Sequence, residues 1–194
     1  MSRWIVGITG ASGTIYARRL IEVLSTIIDN VDVILSPSAI RVLREEEDII
    51  ISGAVTCEAL FNKSIANVTF HNSADIGGSV ASGSYKIDGM VIVPCSMSTL
   101  GVLAHGMSNH LVHRAADVTL KEGRPLIIVP RETPLTVMHL ENMLKLARVG
   151  VKVIPAMPGF YAKPKDIAEL VDMMVMKILD SIGVNSPDLV KRWR

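Results

Sequence analysis

WIVGITGASG, residues 4–13, is the stretch from which the architecture can be read. Its apolar run is too short for a helix and is closed by glycines at 10 and 13. This predicts a buried strand over Trp4–Thr9 and a tight turn at Gly10-Ala11-Ser12-Gly13. Behind the turn, Ile15, Leu20, Ile21, Leu24, Ile27 and Ile28 recur at helical spacing. The same alternation continues outward. VDVIL (31–35), MVIV (90–93), LIIV (126–129) and VKVI (151–154) read as further strands. Helices are expected over the segment carrying Ile40, Val42, Leu43 and the acidic run Glu45–Asp48, through 97–122, and over about 135–148 and 165–182. Residues 62–89 are rich in Gly, Ser and Asn and read as loop with one short strand. Apolar strands alternating with helices imply a parallel sheet covered on both faces. The expected fold is a single Rossmann-like (flavodoxin-like), doubly wound α/β domain over 1–194, with a C-terminal tail from about 184.

Composition narrows the function. The 194 residues carry a net charge of +1, which leaves no electrostatic footprint for nucleic acid. Apolar residues make up 49% and mean hydropathy is +0.38. No apolar run approaches the ~18–20 residues of a membrane span, so the surplus apolar surface is expected to be buried between subunits. Cys57 and Cys95 form no framework, which fits a reducing, cytoplasmic setting. Arg3 and the run after it are too short, and too soon broken by glycine, for a secretory signal.

In open parallel sheets, ligands bind outside the carboxyl ends of the strands. Those ends carry Thr9–Gly13, Ser36, the segment Pro94-Cys95-Ser96-Met97-Ser98-Thr99, Pro130-Arg131-Glu132, and Pro155 running on to Tyr161. Small hydroxyl residues, glycines and helix N-termini suit an anion, and Arg131 adds a fixed cationic fork. Together they point to a phosphate-bearing ligand. Each piece alone has a plainer reading. Gly10 and Gly13 match neither the dinucleotide nor the Walker pattern and also suit a simple turn. Ser96–Thr99 also reads as a helix cap, Glu45–Asp48 as a solvated face, and Lys121 as a surface lysine. His105, His110 and His113 lack a Cys or carboxylate at ligand spacing, so no metal site is expected. Cys95 reads as a buried strand-end residue, and Met173, Met174 and Met176 as core or interface.

Longer blocks carry a resemblance. GITGASGTIYARRL (7–20), VASGS (80–84), MVIVPCSMSTL (90–100), RAADVTLKEGRPLIIVPRETP (114–134) and HLENMLKLARVGVKVIPAMPGFYAKP (139–164) occur in the order found in UbiX-type flavin prenyltransferases. The chain resembles that family from about Ile5 to Trp193. The resemblance implies a flavin-binding domain and a metal-independent transfer of the dimethylallyl group of dimethylallyl monophosphate to N5 and C6 of reduced FMN. The product, prenylated FMN, would serve a UbiD-type decarboxylase. Gly10, Ala11, Ser12, Ser36, Ser96, Met97, Ser98, Thr99 and Arg131 fall where the family binds FMN. Ala81 and Ser82 fall beside the prenyl group. Arg114, Lys121, Glu132, Tyr161 and Lys177 fall around its phosphate, and Glu46 near the reacting flavin edge. Ser12, Glu46, Lys121 and Glu132 are the implied catalytic set. Lys177 stands where the family carries arginine, keeping the charge but losing the bidentate fork. Family members form trimers and dodecamers with the active site shared between subunits.

Chemistry agrees with these roles. An allylic cation forms readily once its leaving phosphate is stabilised by cations, and closing a ring at C6 requires a base, which suits a carboxylate. The competing readings are a flavin-dependent cysteine decarboxylase, an aromatic-acid decarboxylase, and an FMN-binding accessory subunit without turnover. The first carries P-A-S-A-N-T where this chain has Pro94–Thr99. The last need not keep Glu46, Lys121, Glu132 and Tyr161, all of which are present.

Overall fold

The computed structural model describes residues 1–185 and 187–192; Ser186, Trp193 and Arg194, part of the expected tail, lie outside the described residues. Six parallel strands form one sheet: β1 (Arg3–Ile8), β2 (Asn30–Leu35), β3 (Val68–His71), β4 (Gly89–Cys95), β5 (Leu126–Pro130) and β6 (Lys152–Val153). Their order is β3-β2-β1-β4-β5-β6. The chain winds outward from β1 to β3, then returns to lay β4 on the other side of β1. That reversal opens a crevice at the carboxyl ends of β1 and β4.

Strand alternation divides the interior into two cores. Trp4, Val6 and Ile8 of β1 pack with α1 (Thr14–Ile27), α2 (Pro37–Glu47), α3 (Cys57–Phe61) and α7 (Ile167–Ile182). Ile5, Met90, Ile92 and Ile128 face the opposite way, toward α4 (Met97–Ala104), α5 (Leu111–Lys121) and Leu146 of α6 (Val137–Arg148). Because β1, β2, β4 and β5 each feed both cores, they are apolar at consecutive positions, which explains the unbroken runs.

Three sequence readings are corrected. The helical tract expected over 97–122 is two helices: α4 ends at Ala104 and α5 begins at Leu111, with Gly106 in the left-handed region at φ 63°. Residues 62–89 hold not only β3 but also a 3₁₀ turn at Ser79–Ala81. The short α3, capped by the Thr56 hydroxyl, was not expected. Asp32 is the polar exception within a buried strand. It is 2% exposed and meets His71 Nε2 at 2.6 Å, the Tyr85 hydroxyl at 3.2 Å and Arg3 Nη1 at 3.5 Å. One carboxylate thus ties together β1, β2, β3 and the loop before β4.

Candidate active site

The carboxyl edge of the sheet is where α1, α2 and α4 begin. The N-cap of α1 is Gly13, at φ 102°, and it offers no side chain to the helix end. Glu46, near the end of α2, fills that role from outside, its Oε2 accepting the Gly13 N–H at 2.9 Å. Next to it, Glu47 accepts the Thr14 hydroxyl at 2.6 Å and pairs with Arg18. Glu45 turns away to Arg41, at 2.8 Å. The acidic run is therefore only partly a solvated face, since two of its members reach back to the first turn of α1.

Ser36 and Ser96 cap α2 and α4, their hydroxyls accepting the Ala39 and Thr99 N–H groups at 3.2 Å each. Ser36 and Thr99 are buried at the root of these turns, while Met97 and Ser98 lie further out. With the Thr99 amide taken, the amides of Met97 and Ser98 and the Ser98 hydroxyl are the donors left at the N-terminus of α4, a set suited to a phosphate. Gly10 lies against α2: a Cβ there would meet Ser38 Cβ at 2.3 Å.

A cavity of about 560 Å³ opens beside this edge, lined by Ser12, Gly13, Tyr16, Glu46, Arg131, Glu132 and residues of α7. Its size suits a fused-ring ligand. Tyr16 is a polar lining residue that sequence reasoning missed. Its ring packs against Gly13, and burial raises its phenol, opposed by the Arg131 charge, so it is a hydroxyl donor near neutral pH. Its place one helical turn past the glycine turn is the signal that was available. Glu132 Oε1 accepts the Thr133 N–H at 2.9 Å.

A second cavity, about 450 Å³, shares Met157 as a wall with the first. Tyr161, Lys177, Met173, Met176, Asp180 and Arg192 line it. The Arg192 guanidinium donates to both Asp180 oxygens, at 3.0 and 2.9 Å, and holds that carboxyl below its usual range, with Lys177 contributing. Asp180 is thus engaged by Arg192, and no ion pair holds the Lys177 ammonium among the described residues.

The remaining expected residues lie elsewhere. Arg114 and Lys121 are seven positions apart on α5, on one helix face. Lys121 Nζ pairs with Glu122 at 3.0 Å and sits over Gly83, beside Ser82 and the buried Ala81. Arg124 fastens that loop by donating to the Gly83 and Tyr85 carbonyls, at 2.8 and 2.9 Å. Since α5 and α7 belong to opposite cores, one chain does not bring Arg114 and Lys121 to Tyr161 and Lys177. Cys95 is fully buried and its thiol is pushed up to about 12, so it stays protonated and is no nucleophile. Among the described residues no cluster of His, Cys, Asp or Glu suits a metal ion, and no helix is long and apolar enough to cross a membrane.

A family model described as Flavoprotein matches residues 1–179. A protein named flavin prenyltransferase UbiX, from Alkalihalophilus pseudofirmus, is 48% identical over 190 residues, covering 97% of this chain and 94% of its own. The chain belongs to the flavin prenyltransferase family. Among solved structures, AnUbiX in complex with FMN and dimethylallyl pyrophosphate superposes with a TM-score of 0.89 at 35% identity, covering 100% of this chain and 97% of that one. A dodecameric FMN-dependent UbiX-like decarboxylase from Escherichia coli O157:H7 gives 0.88 at 38% identity, with 99% of each chain covered. Membership in the flavin prenyltransferase family agrees with the donor set at the carboxyl edge. The α4 amides and Arg131 suit the phosphate of FMN, and the adjoining cavity has room for its ring system.

Proposed function

We propose that the chain is a flavin prenyltransferase that joins a dimethylallyl group to N5 and C6 of reduced FMN. The observation that carries this reading is the convergence of Ser12, Glu46, Arg131 and Glu132 on one cavity at the carboxyl edge of the sheet. FMN is the acceptor, and it supplies a nucleophilic ring nitrogen and an adjacent ring carbon. Gly10, Ala11, Ser12, Ser36 and the Ser96–Thr99 turn hold it, with Arg131 beside them. Dimethylallyl monophosphate is the donor. Tyr161 and Lys177 hold its phosphate from the adjoining cavity, and Arg114 and Lys121 do so from the α5 face of a second copy, beside Ala81 and Ser82. Cations aimed at the departing phosphate stabilise the charge that builds there. Glu132 exchanges a proton with the phosphate. Glu46, fixed by the Gly13 amide, takes the proton released when the C6 bond closes the ring.

A shared site requires an oligomer. The α6 residues Val137, Met138, Leu140 and Leu144 are all at least half exposed, as are Met157 and Phe160, and this apolar surface suits contact with further copies of the chain. We place the protein in the cytoplasm, as one flavin-binding domain with a tail from about 184, delivering prenylated FMN to a UbiD-type decarboxylase.

The test is to incubate the purified protein with FMN, a reductant and dimethylallyl monophosphate without air, and to weigh the flavin. A mass gain of one dimethylallyl unit is expected; unchanged FMN despite binding would favour an accessory role. Glu46→Gln should lower the rate of ring closure by about 10²-fold, the scale of one positioned general base. A closed-ring product formed at the normal rate would remove Glu46 from that role.

A further inference from the structure

Behind the flavin-binding turn lies a buried histidine that the reaction above does not use. His113, on the first turn of α5, is 3% exposed and stacks on His110, with ring centroids 3.8 Å apart. The Asn109 backbone N–H donates to its Nδ1 at 3.3 Å. A backbone amide only donates, so Nδ1 is the acceptor and the proton of the neutral ring sits on Nε2. Burial, with His110 adding to it, pushes the imidazole down to about 4, so the ring is neutral at physiological pH. Nε2 lies 3.4 Å from Thr99 Oγ1, and with its proton there the histidine donates and the threonine accepts. Thr99 Oγ1 also accepts the Ser96 hydroxyl at 3.1 Å, while Ser96 Oγ accepts the Thr99 N–H at 3.2 Å.

Every bond in this chain has a fixed direction. Asn109 sets the tautomer, the tautomer makes His113 a donor, and that donor holds Thr99 in the rotamer that draws the Ser96 hydroxyl inward. The Ser96 hydroxyl is thereby drawn away from the free Met97 and Ser98 amides at the N-terminus of α4. We propose that His113 is a positioning residue for flavin binding, acting through Thr99 to hold the Ser96–Thr99 turn in its ligand-ready form. The proposal rests on the flavin reading of that turn.

The test is a titration of the purified full-length protein with FMN, followed by quenching of flavin fluorescence, with thermal unfolding confirming that each variant is folded. His113→Asn is too short to reach Thr99 and should weaken FMN binding about tenfold, the scale of one buried hydrogen bond. His113→Gln places an amide N–H near the old Nε2 and should bind within about threefold of the parent. Thr99→Val should lose about as much as His113→Asn, and the double variant no more than either alone, because both break one chain. Wild-type affinity in His113→Asn, or additive losses in the double variant, would overturn the proposal. A parent chain that bound no FMN would overturn the flavin reading and this proposal with it. The ¹⁵N spectrum of the unsubstituted protein gives a check that needs no variant. The Nε2–H tautomer is expected, and an Nδ1–H ring would sink the argument.

Discussion

Gly13 concentrates two constraints in one residue. Its φ of 102° is strained for any L side chain, and a Cβ there would lie 2.9 Å from the Tyr16 ring. Gly13→Ala should cost about 1–2 kcal/mol in backbone strain alone and push Tyr16 into the larger cavity. The expected outcome is a lower Tm together with weaker FMN binding in the same titration. His113 makes a second prediction. An unfolded histidine titrates near 6.5 and the folded one near 4, so on acidification the unfolded chain takes up the proton first. Its contribution is intact above about pH 6.5 and is lost as the pH falls toward 4, on the order of 2 kcal/mol by pH 5. Denaturant melts at pH 7.5 and pH 5 should show this slope, and His113→Gln should lessen it, the remainder including His110, which burial also lowers. The sequence showed Gly13 as a turn residue, but neither its contact with Tyr16 nor the surroundings of His113. The partners of His113 arrive from α4 and from the bend before α5, which no local pattern connects.

At the level of strands and helices, the apolar runs were legible because a strand feeding two cores has no polar face to blur its ends. The split of 97–122 was not, since Leu100, Leu103, Leu111 and Val112 continue the apolar spacing across the break. What ends α4 is the turn through Gly106 and the polar residues after it, a signal that the surrounding hydrophobic pattern masked. By its own pattern the acidic run was legible only as charge, and only the family resemblance singled out Glu46. That Glu46 closes the open end of α1 depends on α2 packing beside it, which is tertiary information. The contact between β1 and β4, where the winding reverses, is equally specific. A Cβ on Gly89 would meet the Trp4 ring at 2.6 Å and the Pro125 carbonyl at 2.7 Å. Gly89→Ala should therefore destabilise by about 2 kcal/mol through overpacking, read as a fall in the urea midpoint at unchanged slope. An unchanged midpoint would mean that the strand seam yields freely.

For the molecule as a whole, the doubly wound parallel sheet and its strand ends were readable, whereas the order β3-β2-β1-β4-β5-β6 came only from the structure. The residues proposed to hold the substrate phosphate were grouped only by the family resemblance; their division between two faces was not readable, because it depends on which side of the sheet each helix covers. Arg114 and Lys121 stand on the α5 side and Tyr161 and Lys177 on the α7 side, with the sheet between them. The exposed apolar residues of α6 fit the same picture, and in non-dissociating buffer the protein should elute far above its 21.0 kDa monomer mass. The divided layout also has a genetic consequence. Under the proposed function, every subunit lends Arg114 and Lys121 to a neighbour's site and keeps Tyr161 and Lys177 for its own, so two inactive alleles with lesions in different halves of the site should rescue each other. When Lys121→Ala and Lys177→Ala chains are unfolded together and reassembled in equal amounts, about one quarter of the junctions would pair two intact halves. Activity should return to that level, whereas sites housed within single chains would give a mixture as inactive as its parents.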